Sequence, residues 1–180
     1  MASSERLPLL IMAGGTGSRM NLSDKGLLII RGDTIIGRNL KLLENSVGKV
    51  YMATSPNTEN TEKFFHDRAT IIRTSGEDYS MDVGEALKSI NVFPILTIPS
   101  DIYFRDSKVL EDFLKEANDR GKGIISLLIE GLFCGVSVFM DRPENVETDD
   151  FIPYNVTEKE AYNINTVEDF FLILNRLKKE

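Results

Sequence analysis

The sequence predicts an α/β domain of three layers, with helices on both faces of a mostly parallel sheet. Apolar runs of strand length alternate with amphipathic segments of helix length. Turn residues such as Gly14-Gly15 and Ser55-Pro56-Asn57 end the apolar runs. Strands that alternate with helices are joined by crossover connections, which place the strands parallel in one sheet between helical layers.

The first part of the chain carries this alternation most clearly. Apolar runs predict strands at residues 7–13, 27–30, 49–55, 70–73 and 93–98. Apolar residues at helical spacing predict helices at residues 34–45, 58–68, 81–90 and 106–120. Gly121 follows the last of these segments and is typical of a helix end.

The alternation weakens toward the C-terminus. We expect strands at residues 124–129 and 133–140, separated by Glu130-Gly131; a hairpin fits them, as do other arrangements. The segment 141–153 is rich in proline and acidic residues, which predicts a loop. Thr166 and Asp169 have the spacing of a capping box and begin a final helix that reaches about Lys179. At 180 residues, we expect one domain that spans residues 1–180.

Composition excludes several classes of protein. The chain carries 21 basic and 28 acidic residues, a net charge of −7 that argues against a nucleic-acid partner. No apolar run approaches the roughly 20 residues that a membrane span requires, and the N-terminus lacks the pattern of a secretion signal. We therefore expect a cytoplasmic protein without membrane insertion, and a homodimer is compatible with the sequence.

The chain has one cysteine and one histidine, Cys134 and His66. These counts exclude an internal disulfide, a cysteine-based zinc cluster and a metal site built from several histidines. Catalysis by a Ser–His–Asp or Cys–His arrangement would depend on His66 alone. We interpret Cys134 as a core residue and assign His66 no catalytic role.

The strongest local signal is the segment Ala13-Gly14-Gly15-Thr16-Gly17-Ser18-Arg19-Met20, with Lys25 shortly after it. Glycines directly after a buried strand let the backbone turn sharply and present N–H groups to an anion. Arg19 and Lys25 add positive charge where phosphates would lie. The spacing fits neither a Walker loop nor the dinucleotide fingerprint, because the required Gly-Lys pair and third glycine are missing.

Asp101 is the second signal, since it follows the predicted strand at residues 93–98. Ligands of open α/β sheets bind beyond the carboxyl ends of the strands. Mg²⁺ is often held by one or two carboxylates together with substrate phosphates. We therefore interpret Asp101 as a Mg²⁺ ligand, while a cap of the following turn remains the alternative.

The glycine segment resembles the signature of the nucleotidyltransferases related to molybdenum-cofactor guanylyltransferase and the sugar-nucleotide pyrophosphorylases. Their pattern is a strand, then A-G-G-x-G-x-R-M, then K-P-L; this chain has Gly26 in place of the proline. The segments Ala53-Thr54-Ser55-Pro56-Asn57-Thr58 and Thr74-Ser75-Gly76, with Asn163-Ile164-Asn165-Thr166, resemble the archaeal GTP:adenosylcobinamide-phosphate guanylyltransferases. The resemblance implies the Rossmann-like sheet of the nucleotide-diphospho-sugar transferase type.

The resemblance also implies site roles. Arg19, Lys25 and Asp101 would be catalytic, and Asp101 would bind Mg²⁺. The nucleotide, GTP, would be bound by Ala13, Gly14, Gly15, Thr16, Gly17, Thr54, Ser55, Thr74, Ser75, Gly76 and Glu77. The acceptor would be bound by Gly135, Asn163 and Asn165.

Structural alternatives stay open for several of these residues. A carboxylate can accept hydrogen bonds from guanine N1–H and N2–H₂, so Glu77 or Asp78 is a chemically sensible guanine reader; either is equally an acid in a turn. Gly135 also fits a bulge in a strand, and Asn163 and Asn165 also fit turn or cap residues.

The reaction that the resemblance implies is transfer of GMP from GTP to adenosylcobinamide phosphate, with release of pyrophosphate. One alternative is a molybdenum-cofactor guanylyltransferase, which shares the N-I-N-T segment. Another is a non-catalytic nucleotide-binding module of the same fold, because Gly26 departs from the family pattern.

Overall fold

The structure, a computed structural model, describes residues 6–18 and 20–178. Its strands are β1 (Leu7–Met12), β2 (Ile29–Ile30), β3 (Asp33–Thr34), β4 (Val47–Thr54), β5 (Thr70–Arg73), β6 (Ile95–Pro99), β7 (Ile102–Phe104), β8 (Ile124–Ile129), β9 (Leu132–Phe139), β10 (Phe151–Val156) and β11 (Ala161–Asn163). Its α-helices are α1 (Ile35–Leu43), α2 (Glu59–Phe65), α3 (Tyr79–Ile90), α4 (Ser107–Arg120) and α5 (Val167–Leu177). Nothing in this part of the chain is a helix long and apolar enough to cross a membrane.

The main sheet has the strand order β10-β8-β9-β6-β1-β4-β5. β1 lies between β4 and β6 and pairs with both in parallel. β5 extends the parallel part, whereas β9 pairs antiparallel with both β6 and β8. The predicted mostly parallel sheet is confirmed, and its parallel half brings the carboxyl ends of β1, β4, β5 and β6 to one edge.

Helices cover both faces of this sheet, which confirms the predicted layers. Side chains of β1 alternate between the faces: Leu9 and Ile11 pack with α1 and α4, and Leu10 and Met12 pack with α3. A third cluster joins α5 through Ile173 to β2 and β7. Burial of these apolar side chains is the main force that holds the layers together.

Most predicted elements lie within two or three residues of the observed ones, and the hairpin of β8 and β9 is present. The prediction of a loop over residues 141–153 is wrong for its last three residues, because β10 begins at Phe151 and pairs in parallel with β8. Its Pro153 is tolerated on an edge strand, where one side needs no ladder hydrogen bond. β7 and β11, which form a separate antiparallel pair, were also not predicted.

Candidate active site

The glycine segment follows β1 at the edge where the parallel strands end. Gly17 has a positive φ of 61°, and a side chain there would collide with the Leu22 carbonyl oxygen. The backbone N–H groups of Met20 and Leu22 donate to the Gly17 carbonyl, which closes the loop. Gly15 and Thr16 are exposed, and their N–H groups have no hydrogen-bond partner among residues 6–18 and 20–178. The loop therefore offers free backbone donors to an anion.

The ends of β4 and β5 pack directly against this loop. Ser55 Oγ donates a 2.6 Å hydrogen bond to the Gly14 carbonyl. If Gly14 carried a side chain, its Cβ would lie only 3.2 Å from Thr74 Oγ1. Gly76 has a φ of 75°, and a side chain there would meet both Gly14 and Ser55. The structure thus brings together the predicted residues Gly14, Ser55, Thr74 and Gly76.

Asp82 shapes the loop after β5, and sequence reasoning missed it. The residue is buried, and its carboxylate accepts hydrogen bonds from Ser75 Oγ at 3.0 Å and from Gly76 N at 3.1–3.2 Å. A buried carboxylate needs such donors to offset its lost hydration. The available signal was an acidic residue in the first turn of the predicted helix at residues 81–90, six positions after Gly76.

The two candidate guanine readers differ in their surroundings. Asp78 caps α3, because its carboxylate accepts from Met81 N at 2.8 Å. Glu77 is exposed, and its carboxylate has no hydrogen bond or ion pair with any other residue that the structure describes. Between the two, Glu77 has the carboxylate that is free to meet a ligand.

Lys25 and Asp101 form an ion pair beside the glycine loop. Lys25 Nζ lies 2.5 Å from Asp101 Oδ2, and the two side chains are only 13% and 17% exposed. Asp101 comes shortly after the end of β6. The residue before it, Ser100, donates its backbone N–H to the carbonyl of Met12 at the end of the neighbouring strand β1. This contact places the ion pair next to the end of β1 and the start of the loop.

Gly26, which stands where the family pattern has proline, lies in a position too close to its neighbours for a side chain. Gly26 is buried, and a side-chain carbon there would lie 2.4 Å from Ile36 Cδ1 and 2.9 Å from Ser100 Cβ. The 3-10 turn that contains Lys25 therefore packs closely against α1 and the end of β6. Asp24 fixes the turn from the other side, since its carboxylate accepts from Thr61 N and Thr61 Oγ1.

β7 and β11 bring the last predicted segment to the same place. Asn163 pairs with Ile102, the residue after Asp101. Ile164 N donates to the Asp101 carbonyl at 2.8 Å, and Lys25 Nζ lies 3.4 Å from the Ile164 carbonyl. Asn163 Oδ1 is buried without a hydrogen-bond partner within the described part of the chain, and Asn165 N donates to Asp169.

Gly135 lies on β9, next to Pro99 at the end of β6. It has a φ of 90°, and a side-chain carbon there would lie 2.9 Å from Tyr79 Oη and 3.1 Å from Pro99 Cγ. Tyr79 Oη donates to the Gly135 carbonyl at 2.8 Å, so Tyr79 fills the space beside the glycine. Tyr79 as a whole is 39% exposed, but desolvation of its hydroxyl raises its pKa well above the usual range, and the negative charge of Asp101 adds to the effect.

Arg19 lies outside the described residues, so its predicted role has no structural account here. The other predicted residues occupy one connected region. Ala13, Gly14, Gly15, Thr16, Gly17, Thr54, Ser55, Thr74, Ser75, Gly76 and Glu77 lie around the ends of β1, β4 and β5. Lys25, Asp101, Gly135, Asn163 and Asn165 lie around the ends of β6, β9 and β11.

The donor set limits how a metal ion could be held. Within residues 6–18 and 20–178 there is no group of three or more His, Cys, Asp or Glu side chains that could hold a metal ion. Asp101 offers one carboxylate at the edge where the parallel strands end. This set fits Mg²⁺, which takes oxygen ligands and keeps most of its remaining positions for phosphates and water.

The arrangement as a whole suits an anionic ligand. Free backbone N–H groups, one ammonium and one carboxylate meet where the parallel strands end. Such a site can neutralise a phosphate chain. It contains no nucleophilic Ser–His or Cys–His pair, because the single histidine, His66, is exposed at the C-terminal end of α2. Burial raises the pKa of the Cys134 thiol to about 11, so the thiol stays protonated near neutral pH.

Comparison with known proteins agrees with this geometry. Residues 9–138 match the family of MobA-like NTP transferase domains. The adenosylcobinamide-phosphate guanylyltransferase of Methanocaldococcus jannaschii is 32% identical over 112 residues, which are 58% of this chain and 57% of that protein. The chain thus spans less than two thirds of the length of that curated relative.

Solved structures show the same fold. The CTP:phosphocholine cytidylyltransferase of Streptococcus pneumoniae has a TM-score of 0.72 at 12% identity, over 96% of this chain and 99% of that chain. A cytidylyltransferase of Leptospira borgpetersenii has a TM-score of 0.70 at 19% identity, over 98% and 88%. The predicted Rossmann-like fold of the nucleotide-diphospho-sugar transferase type is confirmed.

Proposed function

We propose that this chain, which belongs to the family of MobA-like NTP transferase domains, transfers GMP from GTP to adenosylcobinamide phosphate and releases pyrophosphate. The observation that carries the proposal is the meeting of the free glycine-loop donors with the Lys25–Asp101 pair at the end of β1. The 32% identity to the Methanocaldococcus jannaschii guanylyltransferase supports the choice of nucleotide and acceptor.

The reaction is an in-line displacement at the α-phosphorus of GTP. An oxygen of the acceptor phosphate forms the new P–O bond, and the bond to the β-phosphate oxygen breaks. Pyrophosphate leaves with that electron pair. A phosphate monoester oxygen is already anionic near neutral pH, so no general base is needed, and catalysis consists of positioning and charge stabilisation.

The chain's own groups divide this work. Backbone N–H groups of Gly15 and Thr16 hold the phosphate chain, and Arg19 is proposed to neutralise it. Lys25 meets the charge that develops on the leaving pyrophosphate. Asp101 would hold Mg²⁺, which would supply further positive charge to the phosphate oxygens.

The loop after β5 is the proposed guanine reader. Thr74, Ser75 and Gly76 would line the nucleoside, and the free carboxylate of Glu77 would accept from guanine N1–H and N2–H₂. Adenine has no N1–H donor, so ATP would leave this carboxylate unpaired. We expect GTP to bind roughly tenfold to a hundredfold more tightly than ATP, because one unmade hydrogen bond costs about 1–3 kcal/mol.

Pyrophosphate release tests the proposal. The protein is incubated with Mg²⁺ and GTP or ATP, and with adenosylcobinamide phosphate, molybdopterin or a sugar 1-phosphate as acceptor. We expect pyrophosphate to be released only when GTP is combined with adenosylcobinamide phosphate. Release with molybdopterin instead would favour the molybdenum-cofactor reaction, and GTP binding without release for any acceptor would favour a non-catalytic module.

A further inference from the structure

An apolar cavity lies between the tip of the β8–β9 hairpin and helix α5. Its volume is about 310 Å³, within the range of small-molecule sites. The apolar side chains at its mouth are unusually exposed: Leu132 is 74% exposed, Phe133 57% and Leu172 47%. Large apolar side chains that are grouped around a concave surface indicate a binding site rather than scattered surface residues.

The cavity borders the segment that contacts the proposed reaction centre. Asn163 and Asn165 form part of its wall, and the intervening Ile164 is hydrogen-bonded to Asp101. The unpartnered Asn163 Oδ1 belongs to the same wall. A ligand in the cavity could therefore extend to the Lys25–Asp101 pair, and an N–H group on it would satisfy the buried amide oxygen.

The charges on the cavity wall indicate which polar groups a ligand would carry at its edge. The charged residues that line the cavity are Glu130, Glu158, Asp169 and Arg176. Three are acidic and one is basic, and Arg176 already contacts Glu158 at 3.4 Å. The wall thus favours hydrogen-bond donors over anions, so an acceptor's phosphate belongs beside Lys25 and not inside the cavity.

We infer that this cavity binds the broad apolar ring of the acceptor, with the ring's amide N–H groups toward Glu130, Glu158 and Asn163. The inference rests on the proposed function, because the corrin ring of adenosylcobinamide phosphate combines an apolar macrocycle with peripheral primary amides. It adds to that function the surface that selects the acceptor: Leu132, Phe133 and Leu172 hold the ring while Lys25 and Asp101 face its phosphate.

Matched serine substitutions test the inference. Phe133→Ser and Leu172→Ser remove side chains at the cavity mouth. Phe151→Ser and Phe171→Ser remove phenylalanines that are 54% and 57% exposed but do not line the cavity. All four variants alter exposed positions and should fold, which circular dichroism and thermal unfolding check. The measurements are the KM for each substrate, binding of adenosylcobinamide phosphate followed by corrin absorbance, and sedimentation.

The expected result is an acceptor KM and Kd raised about tenfold by Phe133→Ser and Leu172→Ser, the size expected for loss of one apolar contact. The GTP KM should stay within about twofold in all variants, and both control variants should match the wild type. Turnover with an unchanged acceptor KM in Phe133→Ser would overturn the inference and leave the proposed function standing. Acceptor binding that the cavity variants weaken, without pyrophosphate release, would support the cavity and overturn the reaction.

Two further outcomes would overturn the inference. Wild-type protein that neither binds nor uses adenosylcobinamide phosphate would exclude both the cavity's assignment and the proposed reaction. A dimer that Phe133→Ser dissociates, with acceptor binding unchanged, would identify the cavity mouth as an interface between copies of this chain.

Discussion

The Lys25 ammonium lies 2.5 Å from the Asp101 carboxylate, although the two residues are 76 positions apart in the chain. Both side chains are largely withdrawn from solvent, so each charge depends on the other more than a surface pair would. A bound triphosphate would compete with Asp101 for Lys25, and a cation would compete with Lys25 for Asp101. Under the proposed function, the pair would therefore link nucleotide binding to metal binding.

Lys25→Ala should lower kcat more than it raises the GTP KM. Pyrophosphate gains charge as the bond breaks, and a cation that meets this charge lowers the barrier rather than only tightening binding. The expected loss is about 3–4 kcal/mol of transition-state stabilisation, as for removal of one preorganised donor. Steady-state kinetics at saturating acceptor measures it. Lys41→Ala, which breaks the exposed pair with Asp33, is the control and should have no effect.

The opposite result for Lys25 would be informative. A raised GTP KM at unchanged kcat would make Lys25 a ground-state phosphate clamp, and the assignment to the leaving group would be wrong.

Asp101→Asn should abolish turnover while the fold is retained. The amide oxygen can still accept from Lys25, so the contact between the two segments survives, but the carboxylate charge proposed to hold Mg²⁺ is lost. GTP binding without added metal should change little, because the glycine loop is untouched. Turnover and calorimetry with and without Mg²⁺ measure these effects. Normal turnover in a variant that only unfolds at a lower temperature would reduce Asp101 to a structural partner of Lys25.

Asp82→Ala should weaken GTP binding although Asp82 is a positioning residue. Its carboxylate holds Ser75 Oγ and Gly76 N, so its loss leaves buried donors unpaired and releases the loop. We expect a free energy of unfolding lower by about 1–3 kcal/mol and a GTP KM raised about tenfold. Asp106→Ala is a matched control, because Asp106 caps α4 away from the site. It should cost about 1 kcal/mol of stability and leave the GTP KM unchanged.

The parallel half of the sheet could be predicted from the sequence because its strands are buried apolar runs that end in turn residues. β1 reads Leu-Pro-Leu-Leu-Ile-Met before the glycines, and β6 ends at Pro99. Once the strands were parallel, the rule that their carboxyl ends share an edge brought Ser55, Thr74 and Asp101 toward the glycine segment.

The rest of the site depends on contacts that leave no local pattern. β7 and β11 have three residues each, too few to give a period, yet their pairing puts Asn163 beside Asp101. Tyr79 donates a hydrogen bond to Gly135, which is 56 positions later in the chain. Nothing in the sequence around either residue predicts this contact. From the sequence, Asp82 has the pattern of a solvent-facing acidic residue in a helix. In the structure it is buried under the loop after β5.

The close packing at Gly26 leads to a prediction about a double substitution. Gly26→Ala should lower the free energy of unfolding by about 1–3 kcal/mol, since the methyl group would overlap Ile36 Cδ1. Ile36→Val removes that atom, so it should recover part of the loss in the double variant. Urea unfolding of the four proteins measures the coupling. Additive losses would show that the overlap with Ile36 Cδ1 does not set the cost, and that the remaining close contacts with Ile36 Cγ1 and Ser100 Cβ do.

Tyr79→Phe should change how stability depends on pH at the alkaline end. The folded-state pKa of Tyr79 is raised, so below about pH 10, the usual value for tyrosine, the phenol is protonated in both the folded and the unfolded chain. Above that pH the unfolded chain loses the proton while the folded protein keeps it. The stability that Tyr79 contributes is therefore fully present below about pH 10 and is lost as the pH rises further.

Phenylalanine cannot ionise and cannot donate to the Gly135 carbonyl, so two effects should separate. Near neutral pH, Tyr79→Phe should be less stable than the wild type by about 1 kcal/mol for the lost hydrogen bond. Above about pH 10 the wild type should lose stability that the variant does not, and the two curves should converge. Burial raises the pKa of the Cys134 thiol to about 11, and the charge of the ionised thiol also raises the pKa of Tyr79, so the two effects are separated best between about pH 10 and 11. Urea unfolding of both proteins from neutral to strongly alkaline pH gives the difference between the two curves directly; if it stays constant, the Tyr79 hydroxyl is no more shielded in the folded protein than in the unfolded chain.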